Sequence, residues 1–150
     1  MTAHIPPSEP FSIRTASWLA DNRQLRTLRE TVFIQEQHVP VELEWDGEDE
    51  TAMHLLAEAR DGSAIGTARM LPDGHIGRVA VLREWRGHGV GNALMRTLFD
   101  LARQKGMENV FLDAQVEAIG FYERLGFSAE GEVFMDAGIP HRHMKRSLTT

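Results

Sequence analysis

The feature that most constrains this chain is a glycine-rich segment between a predicted strand and a predicted helix, Arg86-Gly87-His88-Gly89-Val90-Gly91. The strand before it, residues 76–81, is short, apolar and rich in β-branched residues. In the segment after it, apolar side chains recur at helical spacing at Val90, Leu94, Leu98 and Leu101. Glycines at such a turn let backbone N–H groups converge, and the following helix points its positive dipole end at the same place. The turn therefore predicts a binding site for an anion such as pyrophosphate.

Two common phosphate-binding patterns do not fit this segment. The chain has no Gly-x-x-x-x-Gly-Lys-Ser/Thr pattern for a triphosphate with magnesium, and no Gly-x-Gly-x-x-Gly in the register used for dinucleotides. A purely structural alternative stays open, in which the glycines only allow a sharp entry into the helix.

A second motif follows about one helix and one strand later, Ala118-Ile119-Gly120-Phe121-Tyr122-Glu123-Arg124-Leu125-Gly126-Phe127. With both motifs in this order, the chain resembles the GNAT superfamily of acyl-CoA-dependent N-acetyltransferases. The family signature Arg/Gln-x-x-Gly-x-Gly/Ala is matched by Arg86, Gly89 and Gly91, and its later tyrosine motif by Ala118, Phe121, Tyr122, Gly126 and Phe127. The resemblance is clear over roughly residues 75–146. Residues 32–37 and 137–141 are similar to a small bacterial branch, ElaA/YjcF-like.

The resemblance implies how an acyl-CoA would bind. Contacts are expected from Val79, Ala80, Val81, Arg86, Gly87, His88, Gly89, Val90, Gly91 and Asn92. The turn would hold the pyrophosphate through N–H groups. Backbone groups of Val79 and Val81 would pair with the pantetheine arm like an added strand, in a slot where the strands at Val79 and Val110 part. Arg86 either contacts a phosphate or supports the turn from outside, and His88 contributes only its N–H.

Tyr122 is the candidate catalytic acid, because it occupies the family's general-acid position and is the only tyrosine in the chain. A phenol with a pKa of about 10 is protonated at neutral pH and can donate to the departing CoA thiolate. The alternative is a core aromatic whose hydroxyl binds a carbonyl group.

Glu36 is the candidate general base or substrate anchor. On a continuous helix it lies on the face of Leu25 and Val32, where partial withdrawal from water would raise the pKa of its carboxyl group. Arg29, on the same face, is a candidate substrate contact, or else the structural partner that neutralises Glu36. Ordered water, which many family members use, is the alternative base.

Other polar residues have smaller predicted roles. His141 is a candidate substrate-binding residue. It alternates with His143 like two metal ligands, but no third ligand is apparent and no metal site is predicted. Asp113 stands where related proteins have histidine or asparagine, so the acceptor preference stays open. We interpret a run of acidic residues as a solvated loop that could attract a cationic acceptor: Glu42, Glu44, Asp46, Glu48, Asp49 and Glu50.

Composition indicates one cytoplasmic domain. A chain of 150 residues with 42% hydrophobic content can bury one core, predicted over residues 11–150 after a flexible lead-in at residues 1–10. The absence of cysteine excludes disulfides and a cysteine nucleophile. No apolar run is long enough to span a membrane. The net charge of −6 disfavours nucleic acid and anionic membranes as partners.

The predicted element order is β-α-β-β-β-α-β-α-β-β, which indicates an α/β (α+β) fold: a mixed, largely antiparallel sheet of about seven strands flanked by helices. With the resemblance, this implies an acetyl-CoA-dependent N-acetyltransferase acting on a small-molecule primary amine, without a metal, and leaves a homodimer open. Two alternatives remain. Arg29-x-x-x-Phe33 is faintly similar to acyl-homoserine-lactone synthases. The other is a non-catalytic sensor module that binds acyl-CoA.

Overall fold

The computed structural model describes residues 10–149, which form two antiparallel sheets. The first sheet has the order β1 (Phe11–Ala16), β2 (Met53–Ala59), β3 (Ala64–Met70), β4 (Ile76–Val81). The second has the order β5 (Asn109–Gln115), β7 (Ile139–Ser147), β6 (Ser128–Asp136). The helices are α1 (Asn22–Arg29), a π-helical continuation (Glu30–Glu36), the short α2 (Val41–Glu44), α3 (Val90–Gln104) and α4 (Ile119–Arg124). Single 3₁₀ turns lie at Arg83–Trp85 and Val116–Ala118.

The element order predicted from the sequence is confirmed, with the seven strands divided between two sheets. β2 and β3 form the predicted hairpin, whose turn places Gly62 at a φ of 88°, a conformation that glycine adopts without steric cost. The predicted lead-in lies outside the described residues, apart from Pro10.

Strand β7 contains a proline near its start. It begins at Ile139, so Pro140 and His141 are both strand residues. The proline is tolerated because β5 ends at Gln115, opposite His141. Pro140 therefore pairs only with β6, and its missing N–H removes no bond on the side of β5.

Helix α3 packs one hydrophobic core against both sheets. Its buried side chains are Val90, Leu94, Met95, Leu98, Phe99 and Ala102. They join residues of the first sheet, such as Leu55 and Ile65, and residues of the second, such as Val110 and Met144, in a single cluster. Leu101, predicted on the same face, is half-buried at its margin. Helix α3 and both sheets therefore share one hydrophobic core.

Strands β4 and β5 lie side by side at one point only. His75 and Phe111 form an isolated parallel bridge, and the Phe111 N–H donates to the Gly74 carbonyl at 3.2 Å. Beyond that bridge, the described residues of β4 and β5 form no ladder, and the strands part. The parting implied by the resemblance is therefore present.

A β-bulge in β4 accompanies the parting. Thr67 of β3 faces Ala80, but Arg69 faces Gly77, so β4 carries one residue more than β3 over this stretch. The extra residue is Arg78, whose φ of 50° lies in the left-handed region. A bulge bends and twists its strand, which turns this part of β4 away from a regular pairing.

The side chain of Arg78 belongs to an ion cluster of three arginines and three carboxylates: Arg29, Arg69, Arg78, Glu44, Asp46 and Asp49. Arg29, which is 1% exposed, donates to Glu44 Oε2 and to Asp49 Oδ1, each at 2.6 Å. These bonds join α1 to the segment that follows α2.

The other two arginines join the same segment to the first sheet. Arg69 of β3 donates to both oxygens of Asp46, at 2.8 and 2.9 Å, and to Asp49 at 3.1 Å. Arg78 donates to the Glu44 carbonyl at 3.0 Å and to Asp46 at 3.2 Å. The ion cluster thus connects α1, α2, β3 and β4.

The interpretation of the acidic run as a solvated loop is wrong for two of its members. Glu44 and Asp49 are buried, 2% and 5% exposed. Buried carboxylates require cationic partners, and here they come from Arg29, Arg69 and Arg78, which are distant in the sequence. A local pattern of acidic residues does not reveal such partners.

We predict that Asp49→Asn lowers the free energy of unfolding by about 3 kcal/mol, because Arg29 and Arg69 then share a neutral partner in a buried place. Urea unfolding followed by tryptophan fluorescence measures the loss. The control is Glu48→Gln, an exposed neighbour with the same charge change, for which we expect less than about 0.5 kcal/mol. Equal effects of the two substitutions would contradict the role of the ion cluster.

The pH dependence of stability provides a second readout. Burial opposes the ionisation of Asp49, but hydrogen bonds from Arg29 and Arg69 and their charges outweigh it and lower its pKa. A lowered pKa means that the contribution of Asp49 to stability is present above about pH 4, the ordinary range of aspartate, and is lost as the pH falls through the lowered pKa. Asp49→Asn should therefore lose less stability on acidification than the unsubstituted protein.

Candidate functional site

The parting of β4 from β5 opens a cleft of about 590 Å³. One end is formed by the glycine turn, residues 86–92. The middle is formed by β4, β5 and α4. The other end is formed by the end of the π-helix, α2 and the turn between β6 and β7. The glycine turn and the residues beside the β6–β7 turn therefore line one and the same cleft.

The glycine turn presents free backbone N–H groups. Gly87 and Gly89 have φ values of 80° and 85°, and Gly89 is the N-cap of α3. The Ala93 N–H donates to the Gly89 carbonyl, so the N–H groups of Val90, Gly91 and Asn92 precede the first helical bond. No side chain caps this helix, and its first turn carries no acidic residue. The turn therefore has the geometry of an anion-binding site.

Gly91 has a packing role. A Cβ atom at this position would lie 3.3 Å from Phe121 Cζ and 3.9 Å from a methyl group of Val81. The glycine lets α3 approach α4, which carries Tyr122. The turn and the tyrosine helix are thus in direct contact.

The outer edge of β4 is open towards the cleft. The Leu82 N–H donates to the Ile65 carbonyl at the side of β3. Backbone groups of successive residues in a strand point to opposite sides, so those of Val81 point away from β3. The Val81 carbonyl accordingly accepts a bond from the Arg86 side chain at 3.0 Å. Val79, Ala80 and Val81 all line the cleft.

Arg86 connects the glycine turn to β4 and to the end of the π-helix. Its Nη1 and Nη2 donate to the two oxygens of Glu36 at 2.6 and 2.8 Å, in addition to the bond from Nε to Val81. Arg86 also lines the cleft, so a contact with a phosphate and support of the turn both stay predictions. Arg86 also ties the end of the π-helix to the turn.

Two predictions about Glu36 are wrong. Its pKa is lowered, chiefly by the hydrogen bonds from Arg86 and against the effect of burial, whereas we expected it to be raised. Its partner is Arg86, and Arg29 lies instead in the ion cluster. The physical reason is the change to π-helical bonding at Glu30, such as the Gln37 N–H to Val32 carbonyl bond. A wider turn removes Glu36 from the face of Leu25.

Three residues predicted for the site lie outside the cleft lining. Arg29 is buried in the ion cluster, so we no longer consider it a substrate contact. Glu36 lies behind Arg86. His88 is exposed, and its ring contacts Trp85 at 5.9 Å. The other residues predicted for the cofactor, and Tyr122 and His141, line the cleft.

Tyr122 lies in an aromatic environment. Its ring meets Phe121 and Phe127 edge-on, with centroids at 5.0 and 5.8 Å. Within residues 10–149 its hydroxyl has no hydrogen-bond partner, although it lines the cleft. Burial raises the pKa of Tyr122 to about 12. The phenol is therefore a hydrogen-bond donor without a bound acceptor in the protein.

Polar residues share one face of the second sheet at the far end of the cleft. Gln115 Nε2 donates to Gln37 Oε1 at 2.8 Å, across the cleft from β5 to the end of the π-helix. The His141 Nδ1–H donates to the Ile139 carbonyl at 2.7 Å, and the His141 ring stacks on Phe134 with ring centroids 6.0 Å apart.

Sequence reasoning missed Gln37, Gln115, His75 and Arg78 as lining residues. Alternation along β5 would have placed Gln115 on the face of Asp113, but the bulge hides Arg78 from any regular pattern.

In the described part of the chain, no group of three or more histidine or acidic side chains is arranged to hold a metal ion. Among residues 10–149, no helix is both long and apolar enough to cross a membrane.

The model of the acetyltransferase (GNAT) domain matches residues 20–148. The chain belongs to the GNAT acetyltransferase family. YyaT of Bacillus subtilis is 31% identical over 145 residues, which cover 93% of this chain and 97% of that protein. The Bacillus subtilis N-acetyltransferase YjcF is 36% identical over 124 residues, 79% of this chain and 87% of YjcF. The match to the crystal structure of Escherichia coli ElaA covers 91% of this chain and 99% of the ElaA chain, with 32% sequence identity and a TM-score of 0.79.

These matches confirm the resemblance to GNAT enzymes and to their ElaA/YjcF-like branch. They also support acyltransferase activity, because the family uses acyl-CoA. The open edge of β4, the uncapped α3 and the length of the cleft fit such a substrate.

We predict that the Tyr122 phenol stays protonated at a pH at which the tyrosine of the unfolded chain ionises, because burial raises the pKa of Tyr122 to about 12. The chain has one tyrosine, so phenolate absorbance in the ultraviolet reports on Tyr122 alone. At a pH of about 10 the unfolded chain should be half ionised and the folded protein hardly at all. Tyr122→Phe should give no phenolate signal. Equal ionisation of folded and unfolded protein at that pH would contradict the environment described for Tyr122.

Proposed function

We propose that the protein transfers an acetyl group from acetyl-CoA directly to a primary amine of a small molecule. The observation that carries the proposal is the continuity of one cleft. An anion-binding turn, an open strand edge, a buried phenol and a polar pocket follow one another along its length. These are the groups that a pyrophosphate, a pantetheine arm, a thioester and an amine would need in that order.

The acetyl-CoA would bind mainly through backbone groups. Its pyrophosphate would accept hydrogen bonds from the free N–H groups at the N-terminus of α3, helped by the helix dipole. The pantetheine amides would pair with Val79 and Val81 along the open edge of β4. Arg86 is engaged with Glu36, so its proposed role is to hold the turn in shape.

The transfer itself requires a neutral amine and an acid for the thiolate. The amine nitrogen attacks the thioester carbonyl carbon, a C–N bond forms, and the C–S bond breaks. We propose that the Tyr122 hydroxyl gives its proton to the departing sulfur. Its raised pKa keeps the phenol protonated at neutral pH. A carboxylate held by an arginine, such as Glu36, is a poor proton acceptor, so Glu36 is no longer our candidate base.

We predict that Asn92→Glu weakens acetyl-CoA binding at least about tenfold, because it places a negative charge beside the proposed pyrophosphate site. The protein should remain as stable as before, since an acidic residue in the first turn of a helix is favourable. Asn92→Gln, the neutral control of the same size, should bind acetyl-CoA like the unsubstituted protein. Calorimetric titration measures the acetyl-CoA affinity of the unsubstituted protein and of both variants. Unchanged affinity in Asn92→Glu would refute the assignment of the pyrophosphate to this turn.

We predict that Tyr122→Phe keeps its acetyl-CoA affinity and loses on the order of 10²-fold in turnover, because only the proton donor is removed. The assay is CoA release from acetyl-CoA with a panel of primary amines. Full turnover in the variant would remove Tyr122 from the mechanism. Tight acetyl-CoA binding with no CoA release in the presence of any amine would instead favour the sensor module. A lactone product would favour the homoserine-lactone synthase.

A further inference from the structure

Asp113 differs from the other carboxylates of the cleft in its partners. Among the described residues that line the cleft, the carboxylates are Glu44, Asp113 and Asp136. Glu44 is bound to Arg29 and also faces Arg78, and Asp136 is exposed at the turn between β6 and β7. Asp113 lies on β5, two residues beyond the Phe111 bridge, where the two sheets begin to part. Its position is therefore the floor of the cleft.

The side chain of Asp113 is 34% exposed, and its ion-pair partners are histidines. Its Oδ1 lies 2.9 Å from His143 Nδ1, and its Oδ2 lies 3.7 Å from His75 Nε2. Within residues 10–149, no arginine or lysine pairs with Asp113. A carboxylate without a permanent cation, facing a cleft, has the charge and the space to bind a cationic ligand.

The two histidines have different surroundings. His143 lies between two carboxylates, with Nδ1 at Asp113 and Nε2 at 3.5 Å from Glu130 Oε1. Both of its ring nitrogens therefore face acceptors, and the ring holds Asp113 in place. His75 lines the cleft and stacks on Phe111 at 4.8 Å. In the described chain its ring nitrogens have no hydrogen-bond partner, so Nε2 is available to a ligand that binds Asp113.

We propose that Asp113 binds the ammonium group of the acceptor and that His75 takes one of its protons. The inference rests on the proposed acetyl transfer and specifies its acceptor end.

The acceptor class follows from the rest of this pocket. Its apolar wall consists of Phe33, Val39, Leu43 and Ile139. Arg78 stands at the same wall, where its guanidinium contacts the Leu43 and Glu44 carbonyls. A second positive charge on the ligand would meet Arg78, whereas an alkyl or aryl group would meet apolar side chains. The proposed acceptor is therefore a primary monoamine with an apolar body.

In the proposed reaction every proton has a donor and an acceptor. An N–H bond of the bound ammonium breaks, its electron pair stays on nitrogen, and the proton goes to Nε2 of neutral His75. The neutral amine attacks the thioester, and the thiolate receives the Tyr122 proton. The acylated nitrogen releases its remaining extra proton to water, and Tyr122 regains one from water. His75, 34% exposed at its side chain, returns its proton to solvent.

The test compares amines with alcohols of the same shape. Calorimetry on the protein saturated with CoA would measure the binding of hexylamine and 2-phenylethylamine against hexanol and 2-phenylethanol. We expect each amine to bind at least about tenfold more tightly than its alcohol, because only the amine carries a charge for Asp113. Asp113→Asn should abolish this preference without weakening the alcohols.

Asp136→Asn is the matched control, since it removes the other carboxylate of the cleft lining that does not pair with arginine, and it should keep the preference. His75→Gln should bind amines normally and lower kcat with little change in KM. Thermal unfolding followed by circular dichroism checks that each variant is folded. Should Asp113→Asn fail to fold, Asp113→Ser is measured in its place.

Three results would overturn the inference: no preference for amines in the unsubstituted protein, a preference that survives the loss of Asp113, or His75→Gln with unchanged kcat. Acetyl-CoA affinity is measured on the same samples. If acetyl-CoA binds and amines are not preferred, the inference fails and the proposed cofactor site stands. If acetyl-CoA does not bind, the proposed function itself fails.

Discussion

The functional architecture depends on the single bridge between β4 and β5. If these strands paired along their length, the two sheets would form one continuous sheet, and the backbone groups at the outer edge of β4 would be used internally. Instead, His75 and Phe111 join the sheets at one end, and α3 joins them by its buried face. The bulge at Arg78 bends β4 beyond the bridge. The cleft is the direct result, and both its donor and acceptor ends open from it.

The ion cluster keeps the wall of this cleft in place. Taking charges out of water is costly, and that cost is offset only when each charge has well-placed partners. Three arginines and three carboxylates balance here, and they join α1, α2, β3 and β4. Arg78 links the two features, since the residue that bulges β4 also holds the segment after α2. The shape of the cleft and the stability of the fold are therefore coupled through the same side chain.

A second connection runs between the two ends of the cleft. Arg86 holds Glu36 at the end of the π-helix and the Val81 carbonyl at the end of β4. Gln37, the next residue, reaches Gln115 on β5. The segment that borders the acceptor pocket is thus attached to the turn proposed for the pyrophosphate. The π-helical geometry makes this possible, because it places Glu36 towards the turn and away from the core.

The amino-acid sequence alone reveals the order of elements, the family, the glycine turn and the position of Tyr122. These follow from local information: apolar periodicity, the φ preference of glycine and two motifs at a fixed separation. The partners of the charged residues, in contrast, depend on long-range packing. Arg86 and Glu36 are 50 positions apart, and Arg29 and Asp49 are 20 apart. A charge has no periodic signature that identifies its partner, so sequence patterns misassigned Arg29, Glu36 and the acidic run. Only the packed chain brings together Asp113 of β5, His143 of β7 and His75, the residue before β4, at the floor of one cleft.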